Sequence, residues 1–299
     1  MSTAGAQPGG LVAVVGSVNA DTTLHVSRIP GPGETVTATG STRSPGGKGA
    51  NQAGAVVRAG TRGVLVGAVG TDAAGAMLVE ELGRRGVGLD QLLRLPDVES
   101  GGATVLVDDV GENCIVVTGG ANAALTPAQV GAGLDALPDV GLVLTQGELS
   151  VACVEAAAGW ASTHDVRFVH NLAPYRPASA ELLARCDPLV VNEHEAADLA
   201  TALGATADGP DALLALLAGH CRSVVITLGG AGAVFASPVG TGHQASRRVE
   251  VVDTTGAGDA FVGAMAAALL GEDDLARACA AGVAAGAAAV QHRGAQPEL

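Results

Sequence analysis

Aromatic residues are almost missing from this chain: three Phe, one Trp and one Tyr stand among 299 residues. The core must therefore be packed from Ala, Val and Leu, and the length allows one large α/β domain or a domain with a small appendage. Lysine is rarer still, with Lys48 alone. Sixteen basic residues face 30 acidic ones, and the formal net charge of −14 argues against nucleic acid and anionic membrane as partners. An acidic chain can still take a nucleotide, because phosphate recognition uses local N–H groups and Mg2+ rather than global charge. The five cysteines (Cys114, Cys153, Cys186, Cys221 and Cys279) are scattered and odd in number, without a Cys-x-x-Cys pair. That excludes zinc and a disulfide framework, points to a reducing compartment, and makes most of them small core residues. No basic n-region precedes Leu11–Val15, which is too short for a signal or a membrane span. The longest apolar tract, residues 278–290, is Ala/Gly-rich and reads as a buried helix. These features predict a cytoplasmic protein with no membrane segment and a small, polar, disordered start at residues 1–10.

What is present alternates. Short β-branched runs at Leu11–Val15, 63–69, 141–145, 166–170, 189–191 and 223–228 alternate with helical patterns at 50–59, 73–85, 126–136, 151–163, 178–184 and 193–202. Such alternation predicts an α/β fold with a doubly wound, mostly parallel sheet and helices on both faces. Thr126-Pro127 fits a helix N-cap followed by proline at N1. Residues 25–44 and 103–117 break the pattern, with strand-like alternation around Pro-Gly and Gly-Glu-Asn turns and no helix inside either. They predict a small antiparallel β-sheet projecting as a lid over the C-terminal edge of the main sheet, with Gly40, Gly46, Gly101 and Gly102 as hinges. The expected organisation is a single domain over 1–299, with lid insertions at about 22–45 and 101–118.

The run Asp253-Thr254-Thr255-Gly256-Ala257-Gly258-Asp259-Ala260-Phe261 carries the most chemistry. It follows a strand-like run at 248–252 and precedes a helical pattern at 260–270. A glycine-rich turn feeding a helix N-terminus presents unpaired N–H groups and a partial positive charge, which stabilise a phosphate or a developing negative charge. Asp259 at its mouth is placed to take a proton from a substrate hydroxyl. An anion cradle beside a base points to phosphoryl transfer to an alcohol. Two plainer readings compete. One is a dinucleotide-binding turn, whose third glycine would fall at Phe261; the other is a tight connection with Asp259 capping the helix.

A second glycine cluster, Gly46-Gly47-Lys48-Gly49-Ala50-Asn51, leads into the first helical pattern. It is not a P-loop, because Gly49 follows Lys48 where Ser or Thr is needed. Bare backbone lets a polar ligand approach, and Asn51 both donates to and accepts from hydroxyls; the plainer reading is a flexible turn with a solvated lysine. Asn19 and Asp21 follow the first strand, and Glu148 follows the strand at 141–145 in the same manner. Ligands bind at such C-terminal strand ends, so the three form a polyol-binding pattern, although Asp alone is often a turn residue.

With Pro32-Gly33-Glu34-Thr35-Val36, Gln52-Ala53, Gly119-Gly120-Ala121-Asn122-Ala123-Ala124-Leu125, the Asn-x-x-Glu of Asn192 and Glu195, Thr227-Leu228-Gly229 and Gly294-Ala295-Gln296-Pro297, these motifs stand in one order. The chain resembles, nearly end to end, the ribokinase-like (phosphofructokinase-B-type) carbohydrate kinases. The run from Asp253 to Asp259 is specific for the wider family, while Gly-Gly-Lys-Gly-Ala-Asn-Gln-Ala and Gly-Ala-Gln-Pro are more characteristic of its ribokinase branch.

The resemblance implies ATP-dependent phosphorylation of D-ribose to D-ribose 5-phosphate. Asp259 would deprotonate the primary hydroxyl, and the amides of Gly256, Ala257 and Gly258 would form the anion hole for the γ-phosphoryl group. Asn19, Ala20, Asp21, Gly47, Lys48, Gly49, Ala50, Asn51 and Glu148, with Asp259, would hold the sugar. Asn192 and the loop of Thr227, Leu228, Gly229, Gly230, Ala231 and Gly232, with Gly258 and Asp259, would hold ATP. Glu195 would organise Mg2+, although Asn192 and Glu195 also read as a helix cap and a first-turn acid. A K+ ion on Asp253, Thr255, Ala289, His292, Gly294 and Glu298 would stiffen the anion hole. Two positions depart from the family pattern: Glu298 stands where a serine is expected, one residue before the last, and Leu172 replaces a usual proline. The family also implies a homodimer joined through the lids. Deoxyribose, fructose or a nucleoside are alternative acceptors, but no aromatic lies within 25–44 or 103–117 to stack a base. A non-catalytic sensor would have lost the base or the hole, and both are present.

Overall fold

The computed structural model describes residues 10–271 and 273–295. Among them, thirteen strands follow one another: β1 (Leu11–Val15), β2 (Asn19–His25), β3 (Gly40–Gly46), β4 (Gly63–Gly70), β5 (Leu92–Leu95), β6 (Gly102–Val107), β7 (Asn113–Thr118), β8 (Val140–Gln146), β9 (Arg167–Asn171), β10 (Leu189–Asn192), β11 (Val224–Thr227), β12 (Ala233–Ser237) and β13 (Gly240–Gln244). The helices between them are α1 (Lys48–Arg58), α2 (Ala73–Arg84), α3 (Gly120–Ala124), α4 (Pro127–Asp135), α5 (Val151–Thr163), α6 (Ala180–Arg185), α7 (Glu193–Ala202), α8 (Pro210–Leu217), α9 (Ala257–Gly271) and α10 (Leu275–Ala289).

Nine strands form one sheet in the order β13-β12-β11-β10-β9-β8-β1-β4-β5. The pairs from β11 through β5 are parallel, while β12 and β13 add an antiparallel edge. The expected α/β class and mostly parallel sheet are borne out. Alternation along β1 shows why the sheet is covered twice. Leu11, Ala13 and Val15 enter one core with α5 to α8, whereas Val12 and Val14 enter another with α1, α2, α9 and α10. Each fully buried Leu or Val removes apolar surface worth roughly 1.5–3 kcal/mol from water. The strand order reverses at β1, whose neighbours are β4 on one side and β8 on the other. Open α/β sheets take ligands in the crevice beyond the C-terminal strand ends at such a reversal, here those of β1 and β8.

The other four strands form the small second sheet, in the order β3-β2-β6-β7. Its outer pairs are antiparallel hairpin-like pairs, and β2 and β6 run parallel at its centre. All six residues of β7 are exposed.

Several expectations shift. The strand-like run at 248–252 is not a strand: it is irregular, and the amides of Val252 and Asp253 both donate to the Val290 carbonyl (2.7 and 3.1 Å). The sheet ends at β13, which pairs only with β12, so this β-branched run meets no partner strand. Asn19 and Asp21 follow β1 and already lie within β2, the small sheet's first strand in chain order, so the small sheet starts ahead of the expected boundary at about residue 22. The expected disordered start falls, apart from Gly10, outside the described residues. All five cysteines are free, with Cys153, Cys186 and Cys279 buried. No helix among the described residues is long and apolar enough to cross a membrane.

Candidate active site

The segment from Asp253 turns into α9 through Gly256, whose φ of 76° lies in the left-handed region that favours glycine. Asp253 fixes the turn, accepting hydrogen bonds from the amides of Thr255 (2.9 Å) and Gly294 (2.8 Å). The Gly294 amide, then the Thr255 side chain and amide, hold its carboxyl below the ordinary carboxylate range. The Ala257 amide closes back onto the Thr254 carbonyl (3.2 Å), and Ala260 N–H donates to the Gly256 carbonyl (2.8 Å). The first turn of α9 thus starts beside the 292–295 turn, with its positive end directed at whatever enters the crevice.

Asp259 sits in that first turn and is only 6% exposed. Its Oδ2 accepts from Asn51 Nδ2 (2.9 Å), its Oδ1 accepts from Gln52 Nε2 (2.9 Å), and Lys48 Nζ stands 4.0 Å from Oδ1. All three partners come from α1. Lys48, Asn51 and Gln52 are spaced i, i+3, i+4, which places them on one helix face. Burial pushes the Asp259 carboxyl above its ordinary value, against the pull of Lys48 and the two amides, and Glu148 adds to the rise. A buried carboxylate raised in this way is a stronger proton acceptor than an exposed one.

Glu148, just after β8, meets the other side of the α1 N-terminus. Its Oε2 accepts from the Lys48 amide (2.9 Å) and from the Ser17 hydroxyl after β1. Asp21 on β2 accepts from the Ala103 amide on β6 (2.9 Å), and its carboxylate occupies the space a Cβ at Gly46 would fill, 1.9 Å from Oδ2. Gly46 thus serves close approach between two strands of the small sheet. Burial lifts Asp21 to about 6, the Ala103 amide opposes this, and Glu148 reinforces it. Asn19 Oδ1 accepts from Asn122 Nδ2 (2.8 Å), and Asn122 also clamps the Val18 backbone (2.9 and 3.2 Å). The N-terminal turns of α1 and α9, the β1 and β8 ends and β2 thus bring Asn19, Asp21, Lys48, Asn51, Glu148 and Asp259 around one crevice, with Ala20, Gly47, Gly49 and Ala50 beside them in the chain.

On the far side of the α9 N-terminus lies a cavity of about 560 Å3, lined largely by apolar groups. Thr227, Gly229, Gly230 and Gly232 line it together with Gly258 and Val251. The glycine loop is a single 3-10 turn, Gly229–Ala231, closed by Leu228 N–H donating to the Gly232 carbonyl (2.8 Å). Leu228 and Ala231 belong to this turn without lining the cavity. The 248–252 run thus supplies cavity wall instead of sheet.

Asn192 and Glu195 form a reciprocal capping box at the start of α7, each side chain bonded to the other's amide at 2.8 Å. Burial raises the Glu195 carboxyl and the nearby Lys48 charge lowers it, so Glu195 shares the electrostatics of the crevice. His292 N–H donates to the Ala289 carbonyl (3.1 Å) at the end of α10. Glu298 lies outside the described residues. Among the described residues, no group of three or more His, Cys, Asp or Glu side chains is arranged to hold a metal ion. Sequence reading gave no role to Ser17, Gln52, Asn122, Gln146 or Asn171, all buried polar residues at this crevice. For Gln52 the signal was available: it shares the helix face of Lys48 and Asn51.

The chain matches the pfkB family carbohydrate kinases over residues 10–299. It is 37% identical over 264 residues to the ribokinase of Schizosaccharomyces pombe, covering 85% of this chain and 83% of that one. It is 36% identical over 263 residues to the bifunctional ribokinase/ribose-5-phosphate isomerase A of Fructilactobacillus sanfranciscensis, and spans 48% of that longer chain with 86% of its own. Among solved structures, the Arabidopsis thaliana ribokinase complexed with ribose and ATP superposes with a TM-score of 0.87 at 29% identity, covering 96% of this chain and 95% of that one.

Proposed function

The chain belongs to the pfkB family of carbohydrate kinases, and we propose that it transfers the γ-phosphoryl group of ATP to the primary hydroxyl of D-ribose, giving D-ribose 5-phosphate and ADP. The observation that carries this reading is Asp259, buried, oriented by the side-chain amides of Asn51 and Gln52, and next in the chain to Gly258, which lines the cavity beside the glycine loop. In the proposed step the ribose hydroxyl proton passes to Asp259. The freed oxygen forms a bond to the γ-phosphorus as the bond from that phosphorus to the β,γ-bridging oxygen breaks, and ADP leaves with the bridging oxygen. The N–H groups of Gly256 and Gly258, on either side of Ala257 whose amide turns back onto Thr254, meet the charge that spreads over the transferring group. Asn19, Asp21, Lys48, Asn51 and Glu148 hold the sugar hydroxyls, and the cavity formed with the Thr227–Gly232 loop takes the nucleotide. The small sheet acts as a lid on one catalytic unit, since β2 carries Asp21 and Asn19 directly.

Mg2+ entering with ATP supplies charge neutralisation on the phosphates. Glu195 fits a role in holding its waters, being half-buried near Lys48. K+ would be held at the Asp253 turn by its carboxylate and by main-chain oxygens of Thr255, Ala289, His292 and Gly294, an all-oxygen donor set of the kind hard cations prefer. Asp253 already joins the two turns that would surround it.

Asp21 has a consequence for pH. Its pKa of about 6 lies above the unfolded value, so the folded chain takes up a proton as pH falls through about 6. Protonation removes an acceptor for a sugar hydroxyl. The KM for ribose is therefore expected to rise below about pH 6 and to level off above it, and Asp21→Asn should flatten this dependence. A KM independent of pH between 5 and 8 in the unsubstituted enzyme contradicts the assignment.

The lid also suggests assembly. Ile115, Val116 and Val117 on β7 are 56, 58 and 68% exposed, a contiguous apolar edge that a second copy would cover. A homodimer joined through the lids is expected, with twice the chain mass by light scattering at micromolar concentration. Val117→Lys should shift it towards monomer, and a monomeric parent protein would contradict the proposal. The reaction itself is tested by ADP release from Mg-ATP with D-ribose, 2-deoxyribose, fructose or adenosine, each in Na+ or K+. Fast, K+-stimulated turnover on ribose is expected. Turnover only on another acceptor would overturn the substrate assignment.

A further inference from the structure

Asp259 is held from two sides, and the two holds differ in kind. Asn51 lies among the residues assigned to the sugar, whereas Gln52 is fully buried behind the carboxylate, at the ends of β8 and β9. Both Nε2 hydrogens of Gln52 are committed, one to Asp259 Oδ1 (2.9 Å) and one to Asn171 Oδ1 (3.0 Å). Its Oε1 accepts from Gln146 Nε2 (2.8 Å), and Asn171 is itself fixed by donating to the Val190 carbonyl (3.1 Å). Turning the Gln52 amide over would set its oxygen against two acceptors and its NH2 group against a donor. Gln146 cannot turn over either without losing its bond to Gln52, although its own Oε1 is buried without a hydrogen-bond partner among the described residues. Three amides from α1, β8 and β9 thus fix which atom faces Asp259 Oδ1, and none of them ionises as pH changes.

We propose that Gln52 is a positioning residue for Asp259, setting the orientation of the carboxylate and its readiness to take the hydroxyl proton through the Gln146–Gln52–Asn171 relay. The inference rests on Asp259 as the base of the proposed reaction. The charged groups facing Asp259 are Lys48 on α1 and Glu148 after β8; Lys48 also acts on Glu195 on α7, and Glu148 on Asp21 of β2. Against that fixed background, Gln52 is the uncharged donor that favours the ionised carboxylate from the buried side.

The test uses the full chain with Gln52→Glu, which keeps the shape, and Gln52→Met, which keeps the length without the donor, each compared with Asp259→Asn. Saturating ribose and Mg-ATP are used across pH 5–9, with thermal melts to confirm folding. Gln52→Glu puts a second carboxylate against Oδ1, so kcat should fall about tenfold or more near neutral pH and the acid limb of the kcat profile should move up by about one unit. Gln52→Met should move the same limb in the same direction by less, and in both variants KM for ATP should stay within about threefold of the parent, because the interaction lost is not one with the nucleotide. A merely structural glutamine would lower stability without moving the limb. If Asp259→Asn abolishes turnover while both folded Gln52 variants keep the parent kcat and acid limb, the Gln52 inference alone is overturned. If Asp259→Asn retains turnover, the base assignment falls and takes this inference with it.

Discussion

Asp259→Asn is expected to cut kcat on ribose by ~10²–10⁴-fold, the usual worth of a positioned general base. The fold should survive, because asparagine keeps the shape and one oxygen for the amides of Asn51 or Gln52. The second donor would then face an NH2 group, a local repulsion paired with relief from burying a charge at a site only 6% exposed. Melting temperature should therefore change by only a few degrees while turnover collapses. Steady-state kinetics with a thermal melt on the same preparation separates the two effects. A variant that folds and turns over at the parent rate removes Asp259 from the chemistry.

Gly256→Ala is expected to lower kcat by about 10²-fold, comparable to the loss of one oxyanion-hole donor. Two independent facts lead there. Gly256 has φ 76°, where an L side chain costs roughly 1–2 kcal/mol. A Cβ at this position would also lie 2.5 Å from the Cα of Ala295, so the main chain of the 292–295 turn must give way. That turn is tied to Asp253 through Gly294, so the strain spreads through the loop that aims the α9 amides. The residues assigned to the sugar on α1 and β2 stand on other elements than this turn, so KM for ribose should change far less than kcat. Kinetics on ribose and ATP decide it, and a kcat within threefold of the parent would contradict the role given to this turn.

The parts of this architecture that were legible in the sequence share a physical reason. β-Branched runs separated by helical periods can bury two faces only as a covered parallel sheet, and the glycine runs at Gly46–Asn51 and Asp253–Asp259 declare places where backbone approaches closely. Short elements were not legible. The β13 sequence Gly-Thr-Gly-His-Gln has little strand propensity, and it becomes a strand because β12 offers an edge. The opposite error arose at 248–252, where propensity is strong but no neighbouring strand is available. Asn192 and Glu195 illustrate a further limit, since the capping box and the nucleotide role draw on the same residue types. Gln52 shares a helix face with Lys48 and Asn51, but its partners, Gln146 and Asn171, come from distant strands that only the fold brings together.

The most direct test of the central claim is phosphorus and carbon NMR of the product formed from ATP and D-ribose by the unsubstituted enzyme and by Asp259→Asn. The account predicts ribose phosphorylated at the 5-hydroxyl in stoichiometric balance with ADP, and no such product from the variant on the same timescale. Phosphate on another hydroxyl, ADP formed equally without ribose, or equal product from the variant would contradict it.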